Sequence, residues 1–497
     1  MFIKDKTNAI RGRIICILIL SMLCLECNQG NSNKIDKYDF LRVVSDYADT
    51  MIKYGRDHYG KEHSSLFASS LDRKSMTIGN KDNFDSIPGV RTKDRSIGGA
   101  NPMTDIALYE ILYHLSEIKN QKAYAQEADS AMKFFFTYCQ NPVTGLMTWG
   151  EHIYWDFETD TIGYQKYEYH EAYKWPLWDK VYELVPEAGW KFAIGEWDHQ
   201  ISDKKTGDFS RHALWSKHGP EAGADFPRYA GQMISLWADA FMRTQNKHNE
   251  RRNEMIQAIE VIFNRMNDNQ KRNLTGYLPA FRDADYVWND SNLELAINFT
   301  EAANQLYPSS LAEKLMLFSF IQDVNLINSP HRIQGGGGFA LTLDAKTCLP
   351  ITRAMNRPYT SDWDSGYGYV SHAFLANKCF ERYKQLEFIK PEYAGKYRIL
   401  IIAAADQYLY STPSLDKALK PGTFSDVINL LINSYELTHD ARYIERARFF
   451  GNMGIDLFLD NCNPLPKATN RNTQYESITG GPDFMLALLK LHILKQY

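Results

Sequence analysis

Ile106-ALYEILYHLSEIKNQKAYAQEADSAMKFFFTY-Cys139 is the stretch whose reading decides the fold class. Apolar residues recur at helical spacing in both halves, and the polar Lys119–Gln121 interrupts them for one short turn. The stretch therefore reads as two antiparallel helices. The same plan returns in Gly231–Met266 with a turn at Gln245–Asn249, in Leu293–Val324 around Pro308, and in Ser371–Leu409 around Pro391. It returns once more in Asp426–Leu459 with a turn at Thr438–Asp440, while Pro482–Gln496 is placed to pair with an earlier element and close a ring. Strand-like runs are scarce. The expected fold is all-α, an (α/α)6 or (α/α)7 toroid of helical hairpins. The longer connections Asn141–Lys180, Thr206–Arg228, Thr275–Asn292, His331–Asp364 and Asn470–Asp483 are expected at its mouth, where loops on a rigid scaffold carry function.

Outward from the hairpins, the N-terminus has basic residues at Lys4, Lys6, Arg11 and Arg13 followed by an apolar run from Ile14 to Leu25. That run is too short for a permanent membrane span and has the anatomy of a secretory signal, so residues 1–27 read as a signal peptide. Cys24 or Cys27 could make it a lipoprotein signal, residues 28–37 read as a polar tether, and 38–497 as a single toroid catalytic domain. The chain is thus expected to be exported, periplasmic or lipid-anchored at the cell envelope of a bacterium. Cys139, Cys348, Cys379 and Cys462 are widely scattered and form no C-x-x-C pair, which argues against a disulfide framework or thiolate zinc site. A net charge of −4 over 497 residues gives no nucleic-acid footprint. The sequence leaves the oligomeric state open.

The candidate chemistry concentrates between Trp149 and His212. Here lie three possible metal ligands in the order His152, Glu171, His212, with Arg211 directly before the last. Imidazole nitrogen and carboxylate oxygen together suit a borderline divalent cation, and three protein ligands leave positions open for a substrate. Manganese or another transition metal fits this donor set better than calcium, which prefers oxygen alone. Aromatic residues make up 13% of the chain, with 30 Tyr and 10 Trp, a composition that suits a sugar-lined groove and equally an aromatic core. Further polar groups gather at Tyr277, Arg282, Asp283 and Asp285, at Arg353 to Tyr367, and at Glu476 to Asp483. Gly335 to Gly338 lacks the Lys and Ser/Thr of a phosphate loop and reads as a turn or lid.

The series Trp149-Gly-Glu-His152, His170-Glu171 and Ser210-Arg211-His212 resembles the active-site series of the family 2 polysaccharide lyases, which are pectate lyases. The steps are 171 − 152 = 19 and 212 − 171 = 41 residues, and the resemblance covers about residues 40 to 215. It implies an (α/α)7 toroid, a divalent metal on His152, Glu171 and His212, and Arg211 as the catalytic base. It implies an acidic poly- or oligosaccharide as partner and β-elimination as the reaction. Lys174 is then a reserve base or carboxylate clamp, and Trp149, Tyr277, Arg282 and Arg353 are candidates for holding the sugar chain, since an Arg fork fits a carboxylate.

Two other readings stay open at this point. A glycoside hydrolase on a six-hairpin toroid would need two carboxylates and no metal, with Glu196, Asp198, Asp283, Asp362 and Asp364 as candidates. A non-catalytic glycan-binding protein would need only the aromatic residues.

Overall fold

The computed structural model describes residues 37–79, 84–163, 175–209, 224–244, 249–273, 275–353, 356–364, 366, 370–460 and 463–494, together with the backbone of 169–170 and 213–214. Fourteen α-helices are found among them. They are α1 Phe40–Tyr54, α2 Pro102–Ile118, α3 Lys122–Tyr138, α4 Trp178–Leu184, α5 Pro186–Gly195, α6 Pro227–Arg243 and α7 Asn249–Arg272. The remainder are α8 Asn289–Leu306, α9 Ser310–Ile327, α10 His372–Leu386, α11 Pro391–Tyr410, α12 Pro421–Thr438, α13 Ala441–Phe458 and α14 Gly481–Leu494.

The helix starts follow local chemistry. Proline stands in the first turn of α2, α5, α6, α11 and α12, where its missing N–H costs no helical hydrogen bond. The side chains of Ser309, Ser371 and Asp440 accept from Ala312 N, Phe374 N and Arg442 N, caps worth about 1 kcal/mol each. After α12 the chain reverses through His439, which sits in the left-handed region at φ 56°.

The helices pair as α2/α3, α4/α5, α6/α7, α8/α9, α10/α11, α12/α13 and α14/α1. The helices α6, α8, α10, α12 and α14 pack in that order as inner neighbours, and α14 returns to α2, so the ring closes within Tyr38–Tyr497. Six pairs are full length. The seventh, α4/α5, has helices of 7 and 10 residues and bridges α3 to α6. The five hairpins expected from periodicity are present within a few residues of their predicted bounds. Both α1 and the α4/α5 pair escaped the sequence reading, the second because its aromatic-rich helices are too short to establish a period.

All the long connections run from one pair to the next inner helix, whereas the turns within pairs span only a few residues. The long loops therefore share one end of the ring, and that end is where the inner helices begin. The described parts of all five expected mouth segments are there, joined by residues 55–101, which the sequence did not single out. Short strands stiffen these loops: β1 (Gly99–Ala100), β2 (Tyr154–Asp156) and β3 (Thr161–Gly163) form a sheet, and β4 (Tyr169–His170) pairs antiparallel with β5 (Ala213–Leu214). Gly99 is required where it stands, because a Cβ there would lie 2.0 Å from the Trp155 carbonyl oxygen.

One buried ion pair locks four helices. Arg382 on α10 and Asp323 on α9 are both fully buried, with Nε–Oδ1 at 2.8 Å and Nη2–Oδ2 at 2.7 Å. Arg382 Nη1 also donates to Thr300 Oγ1 on α8 at 2.6 Å, and the Tyr397 hydroxyl on α11 donates to Asp323 at 2.8 Å. With every charged atom given a partner, the pair escapes the large penalty of an isolated buried charge.

No helix among the described residues is long and apolar enough to cross a membrane. Cys139, Cys348 and Cys379 are free thiols; Cys462 and residues 1–36 lie outside the described residues.

Candidate functional site

At the long-loop end a cavity of about 700 Å³ opens among the first turns of α2, α10, α12 and α14. Its wall includes Asp94, Glu110, Lys420, Thr423, Asp426 and Asp483. Gly480, at φ 80°, lets the loop before α14 meet the start of α12; a Cβ there would stand 2.3 Å from Gly422 Cα. The starts of several inner helices thus face one space, and their dipoles favour negative charge in it.

His152 sits beside this cavity on the connection between α3 and α4. The loop is held from beneath by stacking of Trp149 on Trp175, 5.5 Å apart at 10°, and from the side by Asn101, whose Nδ2 donates to the Gly150 carbonyl at 2.7 Å. The His152 ring is nearly buried. Its Nδ1 approaches Asp94 Oδ1 to 2.5 Å, off the axis of a straight N–H···O bond, and its Nε2 is 3.5 Å from Glu151 Oε2. Arg91 ties the two acids together, with Nε 2.6 Å from Asp94 Oδ2 and Nη2 in contact with Glu151. Candidate ligand atoms of Asp94, Glu151 and His152 lie within 4.8 Å of one another. This cluster mixes nitrogen and oxygen donors of the kind a borderline divalent metal accepts, and His152 is the one of the three expected ligands that lies among the described residues.

The remaining predicted residues divide into three groups. Glu171, Lys174, Arg211 and His212 lie outside the described residues. Trp149 and Tyr277 were expected at the sugar and are placed in the protein interior instead. Trp149 is fully buried, stacked on Trp175 and edge-on to Phe192, and the Tyr277 hydroxyl donates to the Asn325 carbonyl at 2.6 Å. An aromatic-rich segment supplied core as well as site, and composition could not separate the two.

Arg282 and Arg353 stand near a second cavity of about 590 Å³ that Arg282, Asp225, Asp283 and Asp285 line. Arg282 Nε is 3.1 Å from Asp225, which Arg265 also holds, and Arg353 Nη2 is 3.0 Å from Asp285 at the surface.

The carboxylates proposed for a hydrolase are mostly engaged elsewhere. Asp198 is gripped by Arg251 at 2.8 and 2.9 Å and by Lys204 at 2.7 Å; burial opposes its ionisation, but these bonds hold it below the usual carboxylate range. Asp364 is held low in the same way by Arg357 and Lys417, against the effect of burial. Asp362 accepts from Ser411 Oγ at 2.9 Å, Glu196 is fully buried, and Asp283 lines the second cavity.

Acids that the sequence did not single out as a pair occupy the central cavity. Burial pushes Asp426 up to about 8, with Asp483 adding to the rise and Lys378 opposing it. Asp483, open to the water of the cavity yet surrounded by protein, is pushed up to about 6, and burial lowers Lys420 to about 8. Because Asp426 lies above its ordinary value of 3.8, the folded protein keeps a proton between roughly pH 4 and 8 that the unfolded chain has released. Its contribution to stability is complete at the acid end of that window and is lost as pH rises through it. Thermal unfolding of Asp426→Asn across this range is expected to show the variant gaining on the wild type as pH rises. A pH-independent difference would contradict the assignment.

Residues 91–236 match the family model described as periplasmic pectate lyase. This is the family that the His152, Glu171, Arg211 and His212 series resembles, and the matched span contains all four residues together with Asp94 and Glu151. No curated protein sequence matches the chain. Among solved structures, D-mannose isomerase is similar at 8% identity and a TM-score of 0.46, covering 95% of this chain and 100% of that one. Cellobiose 2-epimerase from Bacillus thermoamylovorans is similar at 9% and 0.43, covering 92% and 99%. The GH76 α-mannanase of Bacteroides thetaiotaomicron is similar at 11% and 0.45, covering 93% and 98%.

Proposed function

We propose that the protein is an exported, periplasmic polysaccharide lyase that cleaves a uronic-acid-containing glycan of the pectate or oligogalacturonate kind by metal-assisted β-elimination. The observation that carries this reading is the periplasmic pectate lyase match across residues 91–236, which spans the whole His, Glu, Arg-His series. Two features of the structure support it. His152 stands among carboxylates beside the central cavity, and the pairing of Tyr169 with Leu214 and His170 with Ala213 joins the segments that lead into Glu171 and out of His212.

His152, Glu171 and His212 would hold the ion. Held there, it would supply Lewis-acid chemistry, withdrawing charge from the C6 carboxylate of the uronic acid so that the C5 proton would be more acidic. Arg211 takes that proton. The electron pair of the C5–H bond forms the C4=C5 double bond, and the C4–O bond breaks with its pair passing to the leaving sugar oxygen, which is protonated from solvent. Arginine is ordinarily always protonated, so Arg211 must be kept neutral by a neighbouring cation and by exclusion of water. Lys174 clamps the carboxylate, and the inner helix starts favour a polyanion in the cavity. Arg282 and Arg353 would meet the acidic chain further out, by exchanging their present carboxylate partners for those of the substrate.

The test is to follow the ultraviolet absorbance of unsaturated uronate from polygalacturonate. Chelator should abolish the rise and added manganese should restore it. Sugar release that survives chelation would overturn the proposal. It would favour a second reading, a hydrolase, which the weakened acidity of the buried carboxyls of Asp426 and Asp483 in the same cavity supports. Asp426→Asn would then remove activity that metal does not affect.

A further inference from the structure

We infer that Asp94, backed by Arg91, is a positioning residue for His152: it holds Nδ1 of the ring and so presents Nε2 to the metal. The inference rests on the metal reading above and concerns a residue that lies 152 − 94 = 58 positions before the first ligand of the series.

A nitrogen lone pair set 2.5 Å from a carboxylate oxygen would be repelled, so the contact, although not along a straight N–H···O line, favours the tautomer that carries its proton on Nδ1. In a neutral imidazole the lone pair then belongs to Nε2, which is the form that ligates. Glu151 Oε2 lies on that Nε2 side at 3.5 Å, so negative charge is concentrated where a cation would be held.

Asp94 is in turn well supported. It ends a single 3-10 turn, Thr92–Asp94, and Arg91 Nε holds its second oxygen at 2.6 Å. The next residue, Arg95, forms a buried two-pronged pair with Glu476, with Nε–Oε2 at 2.8 Å, which anchors this turn to the loop before α14. Asn101 meanwhile holds the Gly150 backbone. Both sides of the Asp94–His152 contact are thus tied to the same scaffold.

Direct ligation by Asp94 Oδ1 fits the geometry less well. Two donors on one ion, each about 2.1 Å from it, stand roughly 3 Å apart, which is wider than the observed contact. A carboxylate behind a metal-bound imidazole instead fixes its tautomer and raises its basicity, and removing such a partner typically costs about 10- to 100-fold in metal affinity.

The test is calorimetric titration of manganese into the full chain, comparing wild type with His152→Ala, Asp94→Ala and Asp94→Asn. Thermal unfolding of each metal-free protein reports on folding. The wild type should bind and His152→Ala should not. Asp94→Ala should weaken binding about 10- to 100-fold. Asp94→Asn should lose less, because its amide oxygen can still accept from Nδ1, and it serves as the probe if the alanine variant does not fold. Unchanged affinity in both Asp94 variants would overturn the inference while leaving the metal reading intact. Loss in Asp94→Ala as complete as in His152→Ala would overturn it in favour of direct ligation. A wild type that binds no metal would overturn the metal reading and this inference together.

Discussion

Under the proposed mechanism Arg211→Ala is expected to lower the rate of unsaturated-uronate formation about 10²- to 10⁴-fold, the usual contribution of a positioned general base. The loss is expected in kcat, with manganese affinity close to that of the wild type, because in the proposed site Arg211 neighbours a ligand and is not one. This separates a failed base from a dismantled site: His152→Ala loses both activity and metal. Steady-state kinetics on polygalacturonate, run alongside a metal titration of the same preparation, checks both arms. Activity within a few-fold of wild type would remove Arg211 from the chemistry.

Arg382→Ala has the largest expected effect on stability, about 3 to 5 kcal/mol. Its loss leaves Asp323 as a fully buried carboxylate with Tyr397 as its remaining described partner and takes bonds from Thr300 and Ser319. Four helices of the ring meet at this pair, so the damage is not confined to one hairpin. Urea unfolding should show a lower midpoint with a similar slope. Replacing both partners by apolar residues of similar size, as in Arg382→Met with Asp323→Leu, should recover much of the loss, since an apolar pair no longer has a buried charge to compensate. A cost under about 1 kcal/mol for Arg382→Ala would mean that the pair contributes little to holding the ring.

The hairpin plan was legible because its signal is local. In α8/α9 and α12/α13 the apolar period and the turn at Pro308 or at Thr438–Asp440 lie within one short window. The location of the long loops followed from the same periodicity. The division between site and core did not, because Trp149 and Tyr277 carry the same residue types whether they face a sugar or a neighbouring ring. Asp94 was invisible for a different reason: its link to His152 is made by the closure of the ring and by Arg95 meeting Glu476, 381 positions away. The pairing of the carboxylates of the central cavity was hidden as well: Asp483 stands in the Glu476 to Asp483 group read from the sequence, but Asp426 is 483 − 426 = 57 positions earlier on α12, and the altered acidity of both arises only once burial has brought them together. The His152, Glu171, Arg211 and His212 series was readable as a spaced motif, and that spacing led to the same family as the match over residues 91–236.

The central claim is elimination rather than hydrolysis, and mass spectrometry of the products from polygalacturonate tests it most directly. Elimination places a double bond at each new non-reducing end, so those fragments should be lighter by one water than the corresponding hydrolysis products. Fragments carrying the full water of hydrolysis would contradict the account.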